Sequence, residues 1–150
     1  MTNNRVSLRI ESDADLVTAR AEARALAEQL GFSRTDATLL ATAVSEITRN
    51  IIVHARAGEL ELMPLYSETR YGLRVVASDQ GPGMRDAETA LEDGYTGRGG
   101  FGLGLPGVRR LVDEFSIESE LDEGTKVTMI KWRIRDELER LRERRGDGRQ

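Results

Sequence analysis

The sequence predicts an α+β two-layer sandwich, a mixed, mostly antiparallel sheet covered on one face by helices. Three observations carry that reading. Two segments with apolar residues at helical spacing fill the first third of the chain. Strand-like segments dominate the remainder, and neither a repeat nor a linker interrupts the pattern before the tail. At 150 residues the chain suits one domain.

Each element has a local cause. Val6-Ser-Leu-Arg-Ile10 alternates and reads as a strand. Ser12 or Asp13 can cap a helix with Leu16, Ala19, Ala23, Leu26, Ala27 and Leu30 on one face, stopped by Gly31. Residues 33–55 form a second helix, capped by Ser33 or Thr35, with Leu39, Leu40, Ala43, Val44, Ile47 and Ile51 inside. Residues 59–66 and 71–78 are apolar runs joined by Ser67-Glu-Thr-Arg70, a hairpin, and Pro64 places the first run near an edge or a bulge. Residues 79–83 make a turn and residues 86–93 one short helix. Residues 94–107 hold seven glycines, too many for a regular element. Residues 108–114 return to helix, and residues 115–119 and 126–132 pair around Asp122-Glu-Gly124.

Composition narrows the function. A chain 39% hydrophobic and 32% charged is that of an ordinary globular protein. No apolar run approaches membrane-spanning length and the N-terminus lacks a secretory core, so the expected location is the cytoplasm. The absence of cysteine excludes disulfides and thiolate sites, and a single histidine excludes a His-rich metal site. A net charge of -4 gives no electrostatic reason for a nucleic-acid partner. The tail gathers seven arginines against five acids, which fits a solvated, ion-paired helix fraying at Gly146 or a docking arm.

Three features carry chemistry. Glu46 and Asn50, at i and i+4, stack on one helix face about 6 Å apart. A carboxylate there can take a proton from a hydroxyl, and an amide oxygen suits Mg²⁺; alone, the pair also fits a solvated helix face. Asp79-Gln-Gly-Pro-Gly83 stands where a strand ends, with an acceptor for a ligand's amino group and glycines that admit a flat ring, although a plain turn needs no more. The loop from Gly97 to Gly107 offers backbone N–H groups and a following helix N-terminus to phosphate. Its Gly102-Leu-Gly104-Leu-Pro-Gly107 formally matches a dinucleotide fingerprint. No hydrophobic strand precedes it, and too little chain comes after it for a second mononucleotide half.

The order of these features, roughly 30 and then 20 residues apart, makes the reading specific. Ser45-Glu-Ile-Thr-Arg-Asn50 resembles the N box of the GHKL superfamily, the gyrase, Hsp90, histidine kinase and MutL type ATPases with a Bergerat fold. Asp79-Gln-Gly-Pro-Gly83 resembles its first glycine box and Gly100-Phe-Gly-Leu-Gly104 its second. Asp79-Gln-Gly-Pro-Gly-Met, Glu92-Asp-Gly94, the run from Gly104 to Phe115 and Lys131-Trp132 are similar to the RsbT-type serine/threonine switch kinases of bacterial stressosomes, over roughly residues 5–133.

The resemblance implies an ATP- and Mg²⁺-dependent kinase domain over residues 1–133, followed by a helical or disordered tail over 134–150. It makes Glu46 the general base and Asn50 the Mg²⁺ ligand. Asp79, Gly81, Gly83 and Thr125 would hold adenine, and Gly99, Gly100, Gly102 and Gly104 would close over the phosphates. Arg98 stands where related anti-sigma kinases place an arginine against the γ-phosphate; a surface arginine is the alternative. Thr48 and Arg49 depart from the smaller residues common in the superfamily, and His54 reads as a packed or surface histidine. The implied substrate is a Ser or Thr of a STAS-domain scaffold protein, and the freed kinase would activate a PP2C-type phosphatase. An RsbW-like anti-sigma factor that sequesters a sigma factor is the alternative. A sensor histidine kinase fragment is set aside, since no phosphoacceptor helix pair is present.

Overall fold

The structure, a computed structural model, describes residues 5–81 and 104–146. The helix expected over 86–93 and most of the glycine-rich stretch lie outside those residues. Five strands and four helices are described: β1 (Val6–Ile10), α1 (Asp13–Gln29), α2 (Arg34–Ala55), β2 (Gly58–Tyr66), β3 (Arg70–Asp79), α3 (Gly104–Leu111), β4 (Glu114–Ser119), β5 (Thr125–Ile134) and α4 (Glu137–Gly146). The sheet order is β1-β2-β3-β5-β4. Every described pairing is antiparallel, in keeping with the mostly antiparallel sheet expected from the sequence.

Local chemistry sets the helix ends. The Asp15 carboxylate accepts the backbone N–H of Glu11 and Ser12 at 2.8 and 3.0 Å, stabilising the start of α1. At its far end the N–H of Gly31 reaches Glu28 O and that of Phe32 reaches Ala27 O, both at 3.0 Å, a Schellman motif. Ser33, not Thr35, caps α2: its Oγ accepts from Asp36 N at 3.0 Å. Pro64 lies past the last pairing with β1, where β3 is the only described neighbour of β2. A residue without an N–H tolerates that position.

Helices and sheet meet in one core. Leu60 and Leu62 of β2, Leu73 and Val75 of β3 and Met129 of β5 point into it, with Leu40, Val44 and Ile47 of α2 opposite. Each such Leu or Ile contributes about 1.5–3 kcal/mol by leaving water. Ala19, Ala23 and Ala27 form the buried stripe of α1, a small-residue face that lets α1 lie close beside α2. α3 packs against α2 too, so residues 43–48 of α2 are buried all round.

α3 begins four residues earlier than the glycine content suggests. Leu105, Pro106, Gly107 and Val108 are all buried. Proline is tolerated in a first helical turn, and the apolar side chains gain by packing inward, which outweighs the helix cost of the glycines.

The opposite face of the sheet carries no described helix. Ser7, Arg9, Glu59, Glu61, Arg74, Val76, Ser78, Lys126 and Thr128 line a shallow concavity there. Its charges alternate across the strands: Arg9 lies beside Glu59, and Glu118 beside Lys126.

The described part of the tail is an ion-paired helix, as its arginines and acids suggest, and it is held to the domain. Arg133 donates Nε–H to the Leu30 carbonyl at 2.6 Å and forms two parallel bonds with Glu139, at 2.9 and 2.5 Å. The bare Cα of Gly31 leaves room for it, since a Cβ there would stand 2.6 Å from Arg133 Nη2. The buried Arg135 donates to the carbonyls of Ser67 and Glu68 at 3.1 and 2.9 Å. Arg144 pairs with the Glu68 carboxylate at 2.9 Å. α4 is thereby fastened to the end of α1 and to the β2–β3 turn.

The bonds from Arg133 hold the Glu139 carboxyl at about 2, below its ordinary 4.5. A carboxylate so depressed gives its full stabilisation above the unfolded value and loses it as pH falls toward the folded one. Protection of the amides across residues 137–146, relative to their intrinsic exchange at each pH, is therefore expected to fall as pH drops from about 4.5 toward about 2. Glu139→Gln should exchange rapidly already at neutral pH, with little further change on acidification; retained protection in that variant would exclude the Arg133–Glu139 contact as the fastening.

Candidate functional site

Strand register builds the floor of the site. Gly58 pairs with Asp79, Asp79 with Thr125, and Thr125 with Ser119. One cross-strand row thus spans β2, β3, β5 and β4. Side chains alternate along a strand, so Asp79 shares the face of Leu73, Val75 and Ala77, and Thr125 that of Val127 and Met129. This polar row sits at one end of the hydrophobic slab, on the helix-covered side.

Small residues let the end of α2 close over the row. A Cβ on Gly58 would lie 2.8 Å from Ile51 Cγ2 and 3.1 Å from Asp79 Cβ. A Cβ on Gly81 would lie 2.6 Å from the Ala55 Cβ. The last turns of α2, where Asn50 precedes Ile51, thus lie directly against the Asp79 end of β3. The Asp79 carboxylate is oriented by its own turn: Oδ1 accepts the Gly81 N–H at 2.9 Å. This leaves Oδ2 for an amino group. Across the row, Ser119 Oγ and Thr125 Oγ1 lie 2.8 Å apart, and Ser119 Oγ also bonds Gly124 O at 3.1 Å.

Glu46 stands one turn before Asn50. It is only 8% exposed, and its Oε1 accepts from Arg49 Nη1 at 3.0 Å. A charge partner offsets part of the cost of drawing a carboxylate this far from water. Asn50 is half-buried. Thr48, between them, is fully buried, and its hydroxyl has no hydrogen-bond partner among the described residues. His54 is exposed in the last turn of α2, favourable for a group that can carry positive charge at a helix C-terminus.

The structure thus brings Asp79, Gly81 and Thr125 to one end of the sheet, with Ile51 and Ala55 of α2 against that end, Asn50 next to Ile51 and Glu46 one turn further back. Gly104 opens α3 with φ +69° rather than lying in a loop. Gly83, Arg98, Gly99, Gly100 and Gly102 lie outside the described residues. Three participants escape the sequence reading of the site: Gly58, Ser119 and Gly124. Gly124 holds φ +85°, and a Cβ on it would fall 2.2 Å from the Asp79 carbonyl oxygen. Its Asp-Glu-Gly turn was the available signal. The surface that the turn packs against left no signal of its own.

The arrangement is that of a nucleotide-binding α+β domain, and comparison with known proteins agrees. The chain belongs to the family of histidine kinase-like ATPase domains, whose model matches residues 10–131. It is 42% identical over 130 residues to the Serine/threonine-protein kinase RsbT of Bacillus subtilis (strain 168), covering 87% of this chain and 98% of that one. That likeness makes it a serine/threonine-protein kinase of the RsbT, partner-switching type. The Anti-sigma F factor of Caldanaerobacter subterraneus subsp. tengcongensis is 29% identical over 137 residues, covering 87% of this chain and 94% of its own. Among solved structures, the RsbU and RsbW domains of Rv1364c from Mycobacterium tuberculosis share the fold with a TM-score of 0.58 and 18% identity. That match covers 89% of this chain and 32% of the other.

Gly124→Ala is expected to push the Asp79 backbone aside at a strain cost of about 1–3 kcal/mol. Thermal unfolding should show the loss, and calorimetric titration with ATP should show weaker binding than in wild type. Unaltered values for both would mean that this contact does not set the position of Asp79.

Proposed function

We propose that the chain binds ATP over the Gly58–Asp79–Thr125–Ser119 row and transfers its γ-phosphoryl group to a Ser or Thr of a STAS-domain scaffold protein in a bacterial stressosome pathway. Released from that partner, it activates a PP2C-type phosphatase. The observation that supports this reading is the close approach of Ile51 and Ala55, in the turns of α2 that follow Asn50, to the Gly58–Asp79–Gly81 end of the sheet.

The roles rest on the chemistry of each group. Asp79 Oδ2 accepts the adenine amino group, while Oδ1 is fixed by Gly81. Gly81 and Gly83 let the ring approach, and Thr125 adds a contact through water, its hydroxyl set by Ser119. Glu46 takes the proton of the attacking hydroxyl, a step that a buried and charge-paired carboxylate is suited to. Gly99, Gly100, Gly102 and Gly104 close over the phosphates, and Arg98 meets the γ-phosphate.

Among the described residues no cluster of three His, Cys, Asp or Glu gathers. A hard cation here would take its oxygens from the nucleotide, with the half-buried Asn50 amide as the protein's donor, which fits Mg²⁺. Bound there, Mg²⁺ supplies charge neutralisation on the phosphates. Positioning and neutralisation are most of what phosphoryl transfer needs, in keeping with so few reactive side chains.

Residues 1–133 form the kinase domain, and the tail beyond them serves as its fastening. No helix among the described residues is long and apolar enough to cross a membrane. That fits action in the cytoplasm on protein partners rather than on membrane or nucleic acid. The 29% identity to an anti-sigma F factor supports a second reading, an RsbW-like kinase that sequesters a sigma factor.

The direct test is incubation with labelled ATP, Mg²⁺ and candidate STAS proteins, followed by pull-down. Label on a Ser or Thr and recovery of a phosphatase are expected. Recovery of a sigma factor, with neither STAS protein nor phosphatase, favours the second reading. Asp79→Asn should abolish nucleotide binding without loss of fold. Glu46→Ala should bind ATP normally and lose transfer by about 10²-fold. Wild-type ATP affinity in the first variant, or wild-type transfer in the second, would remove that residue from its role.

A further inference from the structure

The geometry points to Arg49 as the positioning residue of phosphoryl transfer: it holds the Glu46 carboxylate in one orientation through a single guanidinium contact. The inference rests on the role of Glu46 as base. Arg49 comes three residues after Glu46, so both project from one face of α2. Their side chains differ sharply in exposure, 11% for Glu46 and 42% for Arg49. The carboxylate is therefore drawn inward while the guanidinium remains largely in water.

That asymmetry suits a task other than stabilising the fold. Arg49 keeps its hydration and gives Glu46 the charge partner that burial otherwise denies it. The contact is made through Nη1 to Oε1 alone, at 3.0 Å. A bidentate pair would engage both carboxylate oxygens. The single contact fixes the carboxylate through one oxygen and leaves Oε2 to receive a proton.

Other cations near α2 have different partners. Arg24 donates to Thr38 Oγ1 at 3.3 Å. Lys131 donates to the Leu111 carbonyl at 3.1 Å and lies 3.9 Å from Asp36 Oδ1. Among the described residues, Arg49 is the cation whose ion pair with Glu46 is seen.

The proton balance is simple. The substrate hydroxyl gives its proton to Glu46 Oε2 as its oxygen bonds the γ-phosphorus and the bond to the β-phosphate oxygen breaks, releasing ADP. Arg49 neither gains nor loses a proton; it keeps the Glu46 carboxylate oriented to accept one.

The test is a double-mutant cycle with labelled ATP, Mg²⁺ and a STAS-domain protein that the wild-type chain phosphorylates. Arg49→Gln is expected to lower kcat about tenfold while KM for ATP stays within about twofold. Arg49→Lys, which restores the charge without the planar fork, should recover part of that loss. In a Glu46→Gln background, Arg49→Gln should have no further effect, because a residue acting through the carboxylate has nothing left to act on. An undiminished kcat in Arg49→Gln, or an additive loss in the double variant, would overturn the inference alone. Wild-type transfer by Glu46→Gln would overturn the base assignment and the inference with it.

Discussion

The register of β3 against β5 is the constraint on which the rest of the molecule depends. It places Asp79 opposite Thr125 and, two residues at a time, sets Ala77 against Val127 and Val75 against Met129. A slip of one residue would turn every one of these side chains to the other face. Core and candidate site cannot be specified separately: the pairing that buries Val75 and Met129 also delivers Asp79 and Thr125 to the same end of the sheet. The apolar rows make any other register costly. Each polar residue of the site is held in place by hydrophobic neighbours on its own strand.

Helix α2 extends this economy to the second layer. Its buried middle is needed by α1, α3 and the sheet, and Glu46 belongs to that middle. Placing a carboxylate there is costly unless it is compensated, and Arg49 compensates it from the next turn. A rigid, fully packed helix is also a better support for a reacting group than a loop, since the packing that fixes its backbone fixes the rotamers near it.

Local features were legible in the sequence; distant partnerships were not. The spacing of Leu40, Val44 and Ile47 and the cap at Ser33 define α2 without outside help. Asp79 announced itself because Gly and Pro come directly after a strand. The contributions of Gly58, Ser119 and Gly124 depend on contacts across three strand pairings, which no spacing along the chain encodes. α3 was concealed by its glycines, because burial of Leu105 and Val108 against α2 overrode their poor helix propensity. The attachment of the tail is not legible along the chain, because its main anchor, the Leu30 carbonyl, lies 103 residues away from Arg133.

The alternating charges on the uncovered face of the sheet bear on how such a chain survives in a crowded solution. β1 and β4 are outer strands of the described sheet, and each has one backbone edge with no described strand beside it. Such an edge is a template for adding another chain's strand, the first step toward fibrous aggregates. Arg9 on β1, with Glu11 beside it at 2.8 Å, and Glu114 and Glu118 on β4 put fixed charge along both borders. A strand arriving in register would have to strip water from those groups. The charged borders thereby act as gatekeepers against self-assembly on the sheet face that carries no described helix.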